Sequence, residues 1–193
     1  MTRRGAGRNV APPNDILEPQ IRLVGEVNAT MVERLVHGLA EAAAAPAIII
    51  EVTTSGGDAE LGRRLALEVR LARDRRKPRL VFLGKTQVYS AGVTLMSAFP
   101  RDDRYLTHDT TLLIHGRQLD QTIEISGPLH SSQAKLKGVL AQIDVGLELE
   151  RQDFMALIEG SDIGLDELQE RAVNNWYLTA AEAEKRGLIA GLV

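Results

Sequence analysis

The chain has 193 residues, 44% of them hydrophobic, 25% charged and only 4% aromatic, with a formal net charge of −3. This is enough chain for one domain of ordinary size around an aliphatic core, and the acidic balance excludes a nucleic-acid role dominated by phosphate contacts. Cys is absent, which removes disulfides, thiolate metal sites and a cysteine nucleophile and suits a reducing compartment such as the cytoplasm.

No apolar run reaches the roughly 20 residues that span a bilayer, so no membrane segment is expected. Residues 1–14 are rich in Arg, Gly and Pro, and no apolar stretch follows their charged start. They read as a flexible tail, or alternatively a gating or docking segment, rather than a secretory signal. We draw this tail to residue 19 and a single domain over 20–193.

Residues 20–25 (QIRLVG) form a first predicted strand, and Met31, Leu35, Leu39 and Ala42 mark a helix over 30–45 by their spacing. IIIEV (48–52) is a β-branched run of the kind buried in a parallel sheet. A turn at 53–57 leads into a helix over 58–74 with Leu61, Leu65 and Val69 on its buried face, and Pro78 closes that block. LVFL (80–83) is a further buried strand, and 90–98 is a helix of small residues. Strands are predicted at 104–106 and 111–114, and a loop or hairpin at 116–128. A helix of about 30 residues covers 129–158, with Leu136, Val139, Leu140, Ile143, Leu147, Phe154, Leu157 and Ile158 along it. Its length calls for a partner surface, of which self-association is the simplest source and its own domain the alternative. Helices at 165–173 and 180–186 end the chain. Strands alternating with helices imply parallel βαβ units with right-handed crossovers.

Three segments carry potential chemistry, each where a strand gives way to a loop or helix. Ser90 follows a strand and opens a helix, whose N-terminal N–H groups favour developing negative charge. Small Ala91 and Gly92 beside it would let a substrate backbone approach. The GxSxG pattern is absent, because Val88 stands where the first Gly would be. By itself a Ser here is more often a helix cap. Gly56 and Gly57 follow IIIEV and can turn N–H groups into a cleft, or simply supply a positive-φ turn. His115 ends a strand, where side chains face the clefts of α/β sheets.

Together, Ser55-Gly56-Gly57, Val88-Tyr89-Ser90-Ala91-Gly92 and Leu112-Leu113-Ile114-His115 resemble the ClpP-type serine peptidases. The spacing of 25 positions from Ser90 to His115 agrees with that family. So does the closing run Trp176-Tyr177-Leu178-Thr179-Ala180-Ala181-Glu182-Ala183 with Arg186-Gly187-Leu188-Ile189, which is similar to the family's FLSAxEAxxxGLxD block. The resemblance spans about residues 21–192. It implies the ClpP/crotonase α/β superfold, a spiral of repeated ββα units with a protruding handle helix. It also implies a Ser-His acyl-enzyme peptidase without cofactor or metal, in which Ser90 is nucleophile, His115 base, and the Gly57 and Ala91 N–H groups the oxyanion hole. Polypeptide substrates, a homo-oligomeric heptameric ring and an AAA+ unfoldase ATPase as partner follow from the same resemblance.

The chain departs from the family pattern in places. The family's acidic third member falls on Asn175; Asp162 or Asp166 could serve instead, or no third member exists. Asn can orient an imidazole but carries no charge to stabilise an imidazolium. Ser55 replaces a proline, residues 116–130 are longer than usual where the family pairs two rings, and the tail has no recognisable axial-loop sequence. Two other readings stay open: a catalytically weak ClpP-like subunit, and a crotonase-like acyl-CoA enzyme of the same superfold.

Overall fold

The computed structural model describes residues 11–75 and 79–193. Pro78 and the first ten residues of the tail lie outside the described residues. Seven strands form one mixed sheet: β1 (Ile21–Val24), β2 (Ala47–Thr54), β3 (Arg79–Tyr89), β4 (Arg104–Leu106), β5 (Thr111–Ile114), β6 (Trp176–Thr179) and β7 (Gly191–Leu192). Strands β1-β2-β3-β4-β7 are neighbours in that order and pair in parallel, β5 joins β3 in parallel, and β6 joins β5 antiparallel.

The unbroken apolar run of β2 is explained by burial on both faces. Ile48, Ile50 and Val52 join Leu80 and Phe82 in the large core beneath the helices. Ile49 points the other way and packs with Val81, Leu83, Tyr105 and Ile16. Burial of Ile16 docks part of the segment before residue 20 onto the sheet, and the Gln20 side chain accepts a hydrogen bond from Ile49 N–H (2.7 Å).

Helix α1 (Ala29–Glu41) starts where Asn28 accepts a hydrogen bond from Met31 N–H (3.0 Å), and it buries Met31, Leu35 and Leu39. It ends at Glu41, short of the predicted residue 45. The chain turns there through Ala42 toward Pro46, and a residue preceding proline is pushed out of the helical region. Helix α2 (Ala59–Arg75) is capped by Asp58, whose carboxylate accepts from Glu60 and Leu61 N–H.

Strand β3 runs well past the predicted LVFL segment. Polar Lys85 and Thr86 break its apolar run, but the chain stays extended and bends at Thr86 (φ 60°). Before the bend it pairs with β4 (Phe82–Gly84 against Arg104–Leu106); after it, Gln87–Tyr89 pair with Thr111–Leu113 of β5. The bend thereby passes the strand from one neighbour to another and lets the next segment leave beside β5.

Helix α3 (Ala91–Ser97) follows at once. Residues 116–128 hold no strand, so the expected loop-or-hairpin segment is a loop. Helix α4 (Leu129–Ile158) has the predicted bounds, but among its described side chains only Ser132, Phe154 and Leu157 are buried. Leu140 (59% exposed) and Leu147 (56%) leave much of its apolar stripe facing outward. Helices α5 (Leu165–Ala172) and α6 (Ala180–Lys185) complete the chain, the latter opened by a reciprocal Thr179–Glu182 capping box. The closing block therefore contains a strand the helix-centred reading overlooked: β6 alternates buried Trp176 and Leu178 with exposed Tyr177 and Thr179. It pairs with β5 antiparallel, so the sheet is mostly parallel with one antiparallel edge.

One polar side chain ties the helix ends together. Arg104 is 1% exposed and donates to the carbonyl oxygens of Ser97, Phe99, Ala156, Leu157 and Leu188 at 2.7–3.3 Å. Several of these are last-turn carbonyls of α3 and α4, which have no partner within their own helix. Burial pushes the Arg104 guanidinium down to about 10, which leaves it charged at neutral pH.

Candidate active site

The carboxyl ends of β2, β3 and β5 lie side by side, and each delivers one of the three segments singled out in the sequence. The register Thr54↔Val88 carries the Gly56-Gly57 turn up to Ser90, and Tyr89↔Leu113 carries Ser90 up to the residues before His115. The Ser90 N–H extends that second ladder by donating to Leu113 C=O (2.9 Å).

Ser90 has φ 53° and ψ −115°, a conformation L-residues rarely adopt, at a strand-to-helix turn. Such a residue costs on the order of 1–3 kcal/mol, and this is the strained turn that displays a nucleophile in hydrolases bearing GxSxG. The sequence lacks that pattern, yet the backbone makes the turn. The Ser90 side chain makes no capping hydrogen bond to α3. The helix-cap role, more common for a Ser in this position, is therefore not the one seen here.

The small residues near Ser90 are set by packing. A Cβ on Gly56 would stand 2.8 Å from Ser90 Cβ, and Gly56 has φ +99°. A Cβ on Gly57 would stand 2.5 Å from Val27 O, so this turn can run close to the neighbouring chain only as glycine. Gly92 corrects its sequence reading: a Cβ there would meet Thr54 Cγ2 at 2.4 Å, so its small size seats α3 on β2 and does not open a path to substrate. Gly92→Ala is expected to lower stability by about 1–3 kcal/mol through overpacking. Thr54→Ser in the same chain should recover much of that loss, because it removes Cγ2 but keeps the Oγ1 that accepts from Gly56 N–H (3.0 Å). Urea denaturation of the single and double variants checks both steps.

Ser90, Gly57, Ala91 and His115 line one cleft of about 1020 Å³ between the strand ends and α4. Val93, Ile114, Phe154 and Leu157 give it an apolar wall, and Glu60, Arg117, Glu150 and Asp153 a charged one. Ala91 is the first residue of α3, so its N–H has no partner within the helix. Among the described residues Gly57 N–H donates to no protein acceptor either.

The His115 ring is half-buried, and its Nδ1 lies 2.7 Å from the carbonyl oxygen of Gly116. A carbonyl has no proton, so Nδ1–H donates and the neutral ring leaves Nε2 as its acceptor. Among the described residues no hydrogen bond joins His115 to Ser90 Oγ. Tyr89, next to Ser90, stacks edge-on against Tyr177 across the β5–β6 ladder, with ring centroids 5.9 Å apart.

Asn175 is exposed, has φ 58° and closes the turn after α5, donating its N–H to Ala172 C=O (3.3 Å). Asn tolerates this left-handed conformation better than most residues. The β5–β6 ladder pairs Leu113 with Tyr177 and ends at Ile114 with Trp176, so His115 and Asn175 are the residues that flank its last pair. No hydrogen bond joins those two side chains among the described residues. Asp162 is instead ion-paired to Arg186 (2.6 Å), and neither it nor Asp166 is linked to His115 among the described residues.

Charged contacts anchor α4 and the loop after His115 to the cleft. Arg63 of α2 pairs with Asp153 (2.5 Å) and donates to Leu149 C=O. Burial raises the Asp153 carboxyl above the ordinary Asp range despite that partner. Arg117 donates its guanidinium to Glu60 and its backbone N–H to Glu150 (2.5 Å). Sequence reasoning gave none of these residues a place in the site and read Arg63 as a solvated helix-face residue; charged residues on helix faces give no sign that a cleft will gather them. No group of three or more His, Asp or Glu side chains with metal-ligand geometry occurs among the described residues.

No protein-family model matches the chain, and no curated protein matches it. Among solved structures it is similar to a mutant of ClpP1 from Listeria monocytogenes, at 18% identity and TM-score 0.71, covering 92% of each chain. The fold is that of ClpP. In this ClpP-type fold the long α4 and the mostly parallel sheet take their expected places. At such low identity the shared property is the backbone path, while the chemistry has to be argued from this chain's own residues. No helix among the described residues is long and apolar enough to cross a membrane.

Proposed function

We propose that the chain is a serine endopeptidase acting on unfolded polypeptides or short peptides. The observation that carries this reading is the meeting of Ser90, displayed on a strained turn, with His115 and the Gly57 and Ala91 N–H groups around one cleft. The Nδ1–H of His115 is engaged by a carbonyl, so Nε2 is the nitrogen free to take the Ser90 proton. As Nε2 accepts that proton, Oγ attacks the scissile carbonyl. The Gly57 and Ala91 N–H groups receive the developing oxyanion, each worth roughly 3–4 kcal/mol at the transition state. The imidazolium then protonates the leaving amine, and water, deprotonated by the same ring, releases the acyl group.

Asn175 is the third member in this reading, supported by its place beside the last β5–β6 pair, Ile114–Trp176, which His115 follows on the other strand. Asn175→Asp should leave kcat/KM on a fluorogenic peptide similar or raise it, because a carboxylate there would stabilise the imidazolium. Placing an acid after the C-terminus of α5 should cost no more than about 0.3–1 kcal/mol. A sharp loss of turnover in a folded Asn175→Asp protein would remove Asn175 from the mechanism.

The apolar stripe exposed on α4 supports a homo-oligomer. The assembly we assign is the heptameric ring implied by the resemblance, with an AAA+ unfoldase ATPase as the partner that feeds it and the cytoplasm as its location. Fluorophosphonate labelling tests the chemistry. Labelling of the wild-type chain that vanishes in Ser90→Ala supports the peptidase. Absent labelling with absent peptide turnover would return the chain to a non-catalytic subunit, and hydration of an enoyl-CoA would assign it to the crotonase-like class.

A further inference from the structure

We infer that Glu150 of α4 is a positioning residue for His115, acting through the peptide group between Gly116 and Arg117. The inference rests on the proposed roles of Ser90 and His115. That one planar peptide is bonded at both ends: its C=O accepts the Nδ1–H of His115 (2.7 Å), and its N–H donates to Glu150 Oε2 (2.5 Å). Carbonyl and N–H of a peptide unit are conjugated, so an anion at the N–H end draws positive character there and makes the oxygen a stronger acceptor. The chain of groups is imidazole N–H, carbonyl, amide N–H, carboxylate.

This arrangement answers the chemical difficulty posed by Asn175. An amide at the family's acidic position can orient a ring but supplies no charge. A carboxylate one peptide away from Nδ1 supplies that charge at second hand, while the planar peptide fixes the direction of the carbonyl. Glu150 is held in place from the Gly116 side as well: a Cβ on Gly116 would stand 3.1 Å from Glu150 Oε2, so the carboxylate lies directly against the loop backbone. The other charged groups around this end of the cleft are Asp58, Glu60 and Arg63 from the β2–α2 side, Arg117 from the loop and Asp153 from α4. Arg117 spends its guanidinium on Glu60, so the two bonds of Arg117 are separable: one is made by its side chain, the other by its backbone.

Glu150→Gln tests the inference in the full-length protein, because it keeps the shape and removes the charge. Two readouts are taken. The first is the pH dependence of kcat/KM on a fluorogenic peptide. The second is the NMR titration of the His115 ring, its resonance assigned by its loss in His115→Ala. A negative charge behind the carbonyl favours the protonated ring, so its removal should move the ring's titration midpoint and the acid limb of the rate profile to lower pH, by about half a unit. Turnover near neutral pH should fall by about 10-fold, less than for direct loss of a triad carboxylate because the charge acts through a peptide. Glu148→Gln, on the same helix and paired among the described residues with Arg151 and Gln152, should change neither readout. Should Glu150→Gln fail to fold, Glu150→Ala carries the same expectation. An unmoved midpoint in the folded variant overturns the inference even if turnover falls, because a merely structural anchor would slow the enzyme without altering the ring's titration. If the wild-type chain neither turns over peptide nor labels at Ser90, the proposed function fails, and the ring titration still decides whether Glu150 acts on His115.

Discussion

Ser90→Ala is expected to lower peptide turnover by about 10⁴-fold or more while leaving stability within about 0.5 kcal/mol of the wild type. The first half follows from the proposed chemistry, since without Oγ there is no acyl-enzyme. The second half follows from the structure. Ser90 Oγ caps no helix, so its removal leaves no buried partner unsatisfied. Alanine keeps the Cβ and therefore the same strained turn at φ 53°. His115→Ala should cost a similar factor, and the double variant should be little worse than either single one, because nucleophile and base act as one unit. Steady-state kinetics together with urea denaturation give both numbers. Retained turnover in Ser90→Ala would end the hydrolase assignment. A large loss of stability would instead return Ser90 to a structural role.

Arg104→Met should produce the largest stability effect of any single substitution considered, a loss of about 3–5 kcal/mol and a fall in Tm of about 10 °C or more. Methionine approximates the length of the stem but donates nothing. The carbonyls of Ser97, Phe99, Ala156, Leu157 and Leu188 would lose a charged donor inside the protein, where each unsatisfied group costs about 1–3 kcal/mol before relaxation. Arg104→Lys should recover only part of this, because an ammonium has three donors at one point and cannot reach carbonyls spread around a planar guanidinium. Differential scanning calorimetry of the two variants measures the gap. A Tm shift of only a degree or two in Arg104→Met would mean that water or neighbouring N–H groups take over those carbonyls. Because Arg104 joins the end of α3 to the end of α4, both walls of the cleft should loosen in Arg104→Met. Turnover should then fall at temperatures where the protein is still folded.

The elements with strong local signals were legible from sequence because their physics is local. Helix α4 carries a long uninterrupted helical pattern that stops in a Glu-Gly-Ser turn, and its bounds match the expectation. Strand β5 is a short apolar run between turn residues and β4 a three-residue run, Arg-Tyr-Leu, before the same turn, and both also match. The misses share a different cause. The second half of β3 is polar and bends at Thr86, so only its pairing with β5 makes it a strand. Strand β6 has four residues with a plain two-residue alternation, but its neighbours form helices and its antiparallel partner lies more than sixty residues earlier.

By itself the sequence determined the order of strands and helices as far as α4, the glycines that permit tight turns, and the three segments bearing Gly56-Gly57, Ser90 and His115. These follow from periodicity and backbone sterics, which act over a few residues. Only the tertiary structure decided that the three segments leave adjacent strand ends into one cleft, that Gly92 makes room for Thr54, and that Arg104 closes two helices at once. It alone brought Glu150 from the far helix to the peptide beside His115, because contacts between residues distant in sequence depend on how the sheet twists and which strand each segment finds.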